Sequence, residues 1–92
     1  MPTPALVFVD GVFQIARELG YPLERNRQGL RQVDFGHKKL HEDQIRQLYP
    51  DILRPAASVS KLIDKVAPGR PCTHKPLRQI IRQYREAVTV TL

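Results

Sequence analysis

The chain has no tryptophan and a single cysteine, Cys72. One cysteine forms no internal disulfide, which excludes a cross-linked secreted scaffold and favours a reducing compartment. A cytoplasmic setting is therefore expected. Aromatic residues are few, three Tyr and three Phe, so the core must be lean and mostly aliphatic. Long apolar runs are missing as well. The stretch Ala5–Val9 is the notable one near the start, whereas a membrane span needs about 20 apolar residues. It is also too short for a signal peptide and follows no positive leader. A membrane is not an expected partner. The five glycines are scattered and form neither G-x-G-x-x-G nor a Walker loop, which removes the usual cradles for nucleotide phosphates.

What the chain does have is an ordinary globular composition, with 92 residues, 41% hydrophobic and 26% charged. That length suits one domain with one modest core, and chains so short often gain stability by dimerising, so a homodimer is among the expected states. Positive charge stands out. Fifteen Lys and Arg against nine Asp and Glu leave a net charge of +6, with a pI near 10.0. The excess sits in two blocks, residues 25–41 and 70–92, each with five bases and one acid. Segregated charge of this kind points to a localised field and to nucleic acid as partner.

Local patterns predict a mainly α fold, a small single domain (1–92) of four to five short helices with short terminal β-strands. Ala5–Val9, rich in branched and aromatic residues, reads as a strand ending at Asp10 and Gly11. Asp10 then N-caps a helix over 12–19 whose inward face is Val12, Ile15, Ala16 and Leu19, and Gly20 stops it. Residues 24–33 are a weaker helical candidate carrying Leu30 and Val33. A third helix is expected over 37–49, with Leu40, His41, Ile45 and Leu48 inward. A proline-bounded connector near 50–57 leads to a fourth helix capped by Ser58 or Ser60, with Val59, Leu62, Ile63 and Val66 at helical spacing. The last helix starts between Thr73 and Pro76 and runs to about Ala87, and the alternating tail Val88–Leu92 reads as a terminal strand.

The last helix carries the functional signal. At 100° per residue, Leu77, Ile80, Ile81, Tyr84, Ala87 and Val88 share an arc of about 120° that faces the core. Lys75, Arg78, Arg82 and Arg85 cluster within about 80° beside it, along roughly 15 Å of axis. Gln79, Gln83 and Glu86 fill the third arc. Arginine grips phosphate through a planar fork and reads guanine, and glutamine reads adenine, so Gln79 and Gln83 suit groove contact. The bland alternative is a solvated face with an Arg82–Glu86 pair. Neutralising four phosphates of duplex DNA implies a log–log salt slope near −3.6, at about −0.9 per contact.

The second block, Arg25, Arg27, Arg31, Lys38 and Lys39, overlaps "QIARELGYPLERNRQGLRQV". These residues resemble a helix-turn-helix, with Ala16 and Gly20 four apart and Ile15 and Leu19 as core neighbours. Such a motif implies DNA recognition by its second helix. The chain departs from the pattern at Asn26 and Gly29, which stand where branched apolar residues are expected.

Two constellations bear on chemistry. "LVFVDG" looks like the opening of a PIN- or NYN-type nuclease domain, which implies Asp10 at a strand end as a magnesium ligand. Such a centre needs further carboxylates, and no later strand offers one, so the N-cap reading is preferred. His37 and His41, four apart, with Cys72 and His74 make a conceivable zinc tetrad, although the C-x-H spacing is tight for structural zinc. No cofactor is expected. The reading is a non-enzymatic nucleic-acid-binding regulator or accessory factor, with DNA ahead of RNA. The alternatives are a module that docks an acidic protein or lends strands to another sheet, and a nuclease-like domain using Asp10.

Overall fold

A computed structural model describes residues 3–36, 38–49, 51–54, 59–67 and 71–91. The elements in order are α1 (Pro4–Glu18), β1 (Leu23–Arg25), β2 (Arg31–Asp34), β3 (Lys39–His41), α2 (Glu42–Arg46), a 3₁₀ turn (Asp51–Leu53), α3 (Val59–Val66) and α4 (Pro71–Thr91). The expected mainly helical small domain is present, together with a three-stranded antiparallel sheet of order β1-β2-β3.

The N-terminal strand is not there: Ala5–Val9 is the first half of α1. Thr3 provides the start, its Oγ1 accepting from the Leu6 N–H at 3.2 Å. Pro4 follows at a position where a missing N–H costs nothing. Phe8, Val9, Val12, Phe13 and Ala16 are the buried stripe, so the β-branched residues serve a helix because their spacing buries them on one side. Leu19 lies beyond that stripe and is exposed. The helix closes with a Schellman pair, Tyr21 N–H to Ala16 C=O and Gly20 N–H to Arg17 C=O, both 3.0 Å. Gly20 adopts φ 93° there, a left-handed angle that favours glycine.

Residues 24–33 form a hairpin rather than a helix, because the turn chemistry between the strands wins. Asn26 Oδ1 accepts from the Gln28 N–H at 2.9 Å and the Leu30 N–H at 3.0 Å, and Gly29 takes φ 83°. The register sets Leu23 opposite Val33 and Val33 opposite Leu40. Val33 and Leu40 are fully buried. Tyr21 and Phe35 meet edge to face at 5.1 Å.

The expected helix over 37–49 is shortened to α2, since Leu40 and His41 belong to β3. His41 is not an inward helical residue. Its Nδ1 caps α2 by accepting from the Asp43 N–H at 3.2 Å, and Gln44 Oε1 accepts from the His41 N–H at 2.9 Å. Gln44 also donates to the Val66 C=O at 3.2 Å, tying α2 to the end of α3.

On α3, Ile63 and Val66 are buried and Leu62 is packed at the margin; the proposed cap Ser58 and the side chains of Val59 and Ser60 lie outside the described residues, as does much of the connector near 50–57. The last helix begins earlier than expected, at Pro71, and continues to Thr91, so the C-terminal strand is replaced by helix. Leu77, Ile80 and Ile81 are fully buried against α1 and α3, while Ala87 is exposed. Phe8 meets Tyr84 edge to face at 5.0 Å. A Cβ at Gly11 would stand 2.9 Å from Tyr84 Cε2, so α1 needs glycine for this approach to α4.

Candidate nucleic-acid interface

Burial of Leu77, Ile80 and Ile81 fixes the roll of α4. Lys75, Arg78, Gln79 and Arg82 are consequently exposed, and Gln83 and Arg85 are half-buried at the two margins. Steps of three and four residues put Lys75, Arg78 and Arg82 on one side, over about 10 Å of axis. The side chains of Lys75 and Arg82 make no hydrogen bond or ion pair to another described residue. Glu86 is exposed one turn beyond Arg82, and the Arg82–Glu86 pair of the bland alternative does not form.

Arg85 departs from the row. It leans toward the core side of α4, where its Nε donates to the Ile52 C=O and one Nη to the Arg54 C=O at 3.4 Å. The guanidinium thus clasps the 3₁₀ turn. Tyr84 beside it is half-buried, and burial raises its phenol pKa, with a further push from Tyr49.

The hairpin block has another character. Arg31 sits between two carboxylates, with Nη1 2.7 Å from Asp10 and Nε 3.1 Å from Glu42. Its own backbone N–H also donates to Glu42, at 3.1 Å. The guanidinium carbon stands 5.1 Å from the Phe13 ring centroid, adding a cation–π contact. Burial disfavours charge on Arg31, but the bonds to Asp10 and Glu42 outweigh it and hold the pKa above its ordinary value. For Glu42 burial pushes the pKa up, and the hydrogen bonds from Arg31 prevail and leave it lowered.

Lys39 pairs with Glu24 at 2.9 Å, and their hydrogen bond raises the lysine and lowers the glutamate, which Gln32 lowers further. Arg25 donates to the Gly29 C=O at 2.7 Å inside the hairpin turn. Lys38 is half-buried and Arg27 is exposed at the turn. Of this block, the fold commits Arg25, Arg31 and Lys39 to the protein's own acceptors.

Asp10 is neither a strand-end ligand nor an N-cap; it lies near the middle of α1 and faces Arg31. A cation already occupies the space between Asp10 and Glu42, and that cation is a guanidinium. Among the described residues no group of three His, Cys, Asp or Glu is placed to hold a metal; His37 and the side chains of Cys72 and His74 lie outside the described residues. An open groove between α1 and the hairpin is lined by Phe13, Gln14 and Leu23 with Asp10, Arg17, Glu18 and Arg31. Its two acids and two bases cancel, so it has no field for an anion. Among the described residues no helix is long and apolar enough to cross a membrane.

No protein-family model, curated protein or solved structure matches the chain. Sequence reasoning overlooked the bridge from Asp10 through Arg31 to Glu42, because its members are far apart in the chain. It also overlooked Arg54, which the clasp of Arg85 brings beside α4.

Proposed function

We propose that this protein binds nucleic acid, with duplex DNA ahead of RNA, by laying the outer side of α4 along a phosphate backbone. The observation that carries the reading is the row Lys75, Arg78 and Arg82, exposed together on a helix whose opposite side is locked into the core. Arginine forks suit phosphate, and Gln79 next to them on the exposed arc, with Gln83 at its margin, supplies amide groups that suit base edges. Arg27 at the hairpin turn is a secondary contact. Arg31 and Lys39 are excluded from the surface because their charge is already met by Asp10, Glu42 and Glu24. The role is that of a small non-enzymatic regulator or accessory factor, and a homodimer would present the row twice.

The test is fluorescence anisotropy with short labelled duplex DNA, single strands and RNA across roughly 50 to 200 mM salt. Each phosphate contact adds about 0.9 to the log–log slope on a duplex, so the wild type should show at least about −2.7 and Arg78→Gln/Arg82→Gln should lose about 1.8 of it. Absence of binding at the lowest salt rejects the reading. Equal competition by polyglutamate would instead favour an acidic protein as the partner.

A further inference from the structure

The clasp of Arg85 on the 3₁₀ turn has a second outcome besides taking Arg85 out of the row. Its Nε and one Nη end on the carbonyls of Ile52 and Arg54, so the backbone of Arg54 is held within one guanidinium's reach of α4. Arg85 lies one helical step beyond Arg82 and two beyond Arg78, on the flank that Arg78 shares. The turn carries backbone hydrogen bonds of its own. The Arg54 N–H donates to the Asp51 C=O at 3.1 Å, and the Ile52 N–H donates to the Leu48 C=O at 2.9 Å. Ile52 is fully buried and anchors it.

From this platform the Arg54 side chain projects into solvent, 71% exposed. Its contact with Asp51, 3.4 Å between neighbours three apart, is a surface pair of the kind worth a few tenths of a kcal/mol and weakened by salt. That pair engages one Nη and leaves the rest of the fork for another acceptor.

We infer that Arg54 is a phosphate contact of the same surface, and that Arg85 is its positioning residue rather than a contact. The surface is then assembled from two elements, with the row on α4 extended by a cation delivered from the 3₁₀ turn. The occupant is the phosphodiester backbone, to which the exposed charge is complementary. This inference rests on the nucleic-acid reading above.

The experiment measures the salt slope on a short labelled DNA duplex for the wild type, Arg54→Gln, Arg85→Gln and the double variant, with Arg78→Gln/Arg82→Gln as reference. Arg54→Gln should make the slope shallower by about 0.9, the share of one phosphate. Arg85→Gln should do the same, and the double variant should lose no more than either single one. An unchanged slope in Arg54→Gln overturns the inference. A loss near 1.8 in the double variant overturns the positioning role, because it makes Arg85 a contact in its own right. A wild type that does not bind removes both this inference and the reading beneath it; a wild type whose steep slope depends on Arg78 and Arg82 but not on Arg54 removes this inference alone. Far-ultraviolet circular dichroism checks the fold of Arg85→Gln, and Arg54→Gln, a change at an exposed side chain, carries the test if that variant does not fold.

Discussion

The two basic blocks have the same formal make-up, five bases and one acid each, and different surroundings. In the hairpin, Arg31 and Lys39 are met by Asp10 from α1, Glu42 from α2 and Glu24 from the neighbouring strand. On α4, the helix's own neighbours of the row along the exposed arc are Gln79, Gln83 and Glu86, the last one turn beyond Arg82. The net charge of a segment therefore says little about its field. What decides is which carboxylates the fold sets beside it, and these come from elsewhere in the chain. The hairpin uses Arg25, Arg31 and Lys39 for cohesion, whereas α4 leaves Lys75, Arg78 and Arg82 exposed and commits Arg85 to the 3₁₀ turn.

Three measurements break or sharpen that contrast. The largest effect belongs to Arg31→Met, which removes charged hydrogen bonds and leaves Glu42, whose side chain is only 18% exposed, with the backbone N–H of residue 31 but without its charged donor. Urea unfolding should show a loss of about 2–3 kcal/mol; a loss below about 1 kcal/mol would group Arg31 with the exposed cations of α4. Next comes pH. The Glu42 carboxyl has a folded pKa below its ordinary value of 4.5, so its contribution is fully present above that value and fades as pH falls through the lowered one. The wild type should lose stability over that acid window, and Glu42→Gln should show a flatter profile. Glu24, exposed and lowered by Lys39, adds a weaker trend of the same sign. Smallest of all is the response to Arg78→Gln/Arg82→Gln, which should leave stability within about 0.5 kcal/mol of wild type. A larger drop would mean that the row, too, serves cohesion.

Legibility from sequence followed the range of the deciding interaction. The core side of α4 was readable, since Leu77, Ile80 and Ile81 repeat at helical spacing and all are buried. The buried pair on α3, Ile63 and Val66, was readable for the same reason. Ala5–Val9 misled because β-propensity is a local average, whereas the stripe from Phe8 to Ala16 spans more than the run itself. Residues 24–33 misled because Leu30 and Val33 fit a helical step, and the competing signal lay in Asn26 and Gly29, whose turn fixes the hairpin. His41 looked like a core residue and is a cap, a role visible only once β3 ends beneath it. Lys75, Arg78 and Arg82 were foreseeable as an exposed row. The diversion of Arg85 was not, because its acceptors are carbonyls more than thirty residues away.

The contact of Phe8 with Tyr84 joins α1 to α4, two helices far apart in the chain. A chain emerging from a ribosome carries Phe8 without its Tyr84 neighbour until every element between α1 and α4 has been made. Docking of α1 on α4 is thus deferred until α4 has been translated, and the greasy side of α1 is what a nascent-chain chaperone would meet in the meantime.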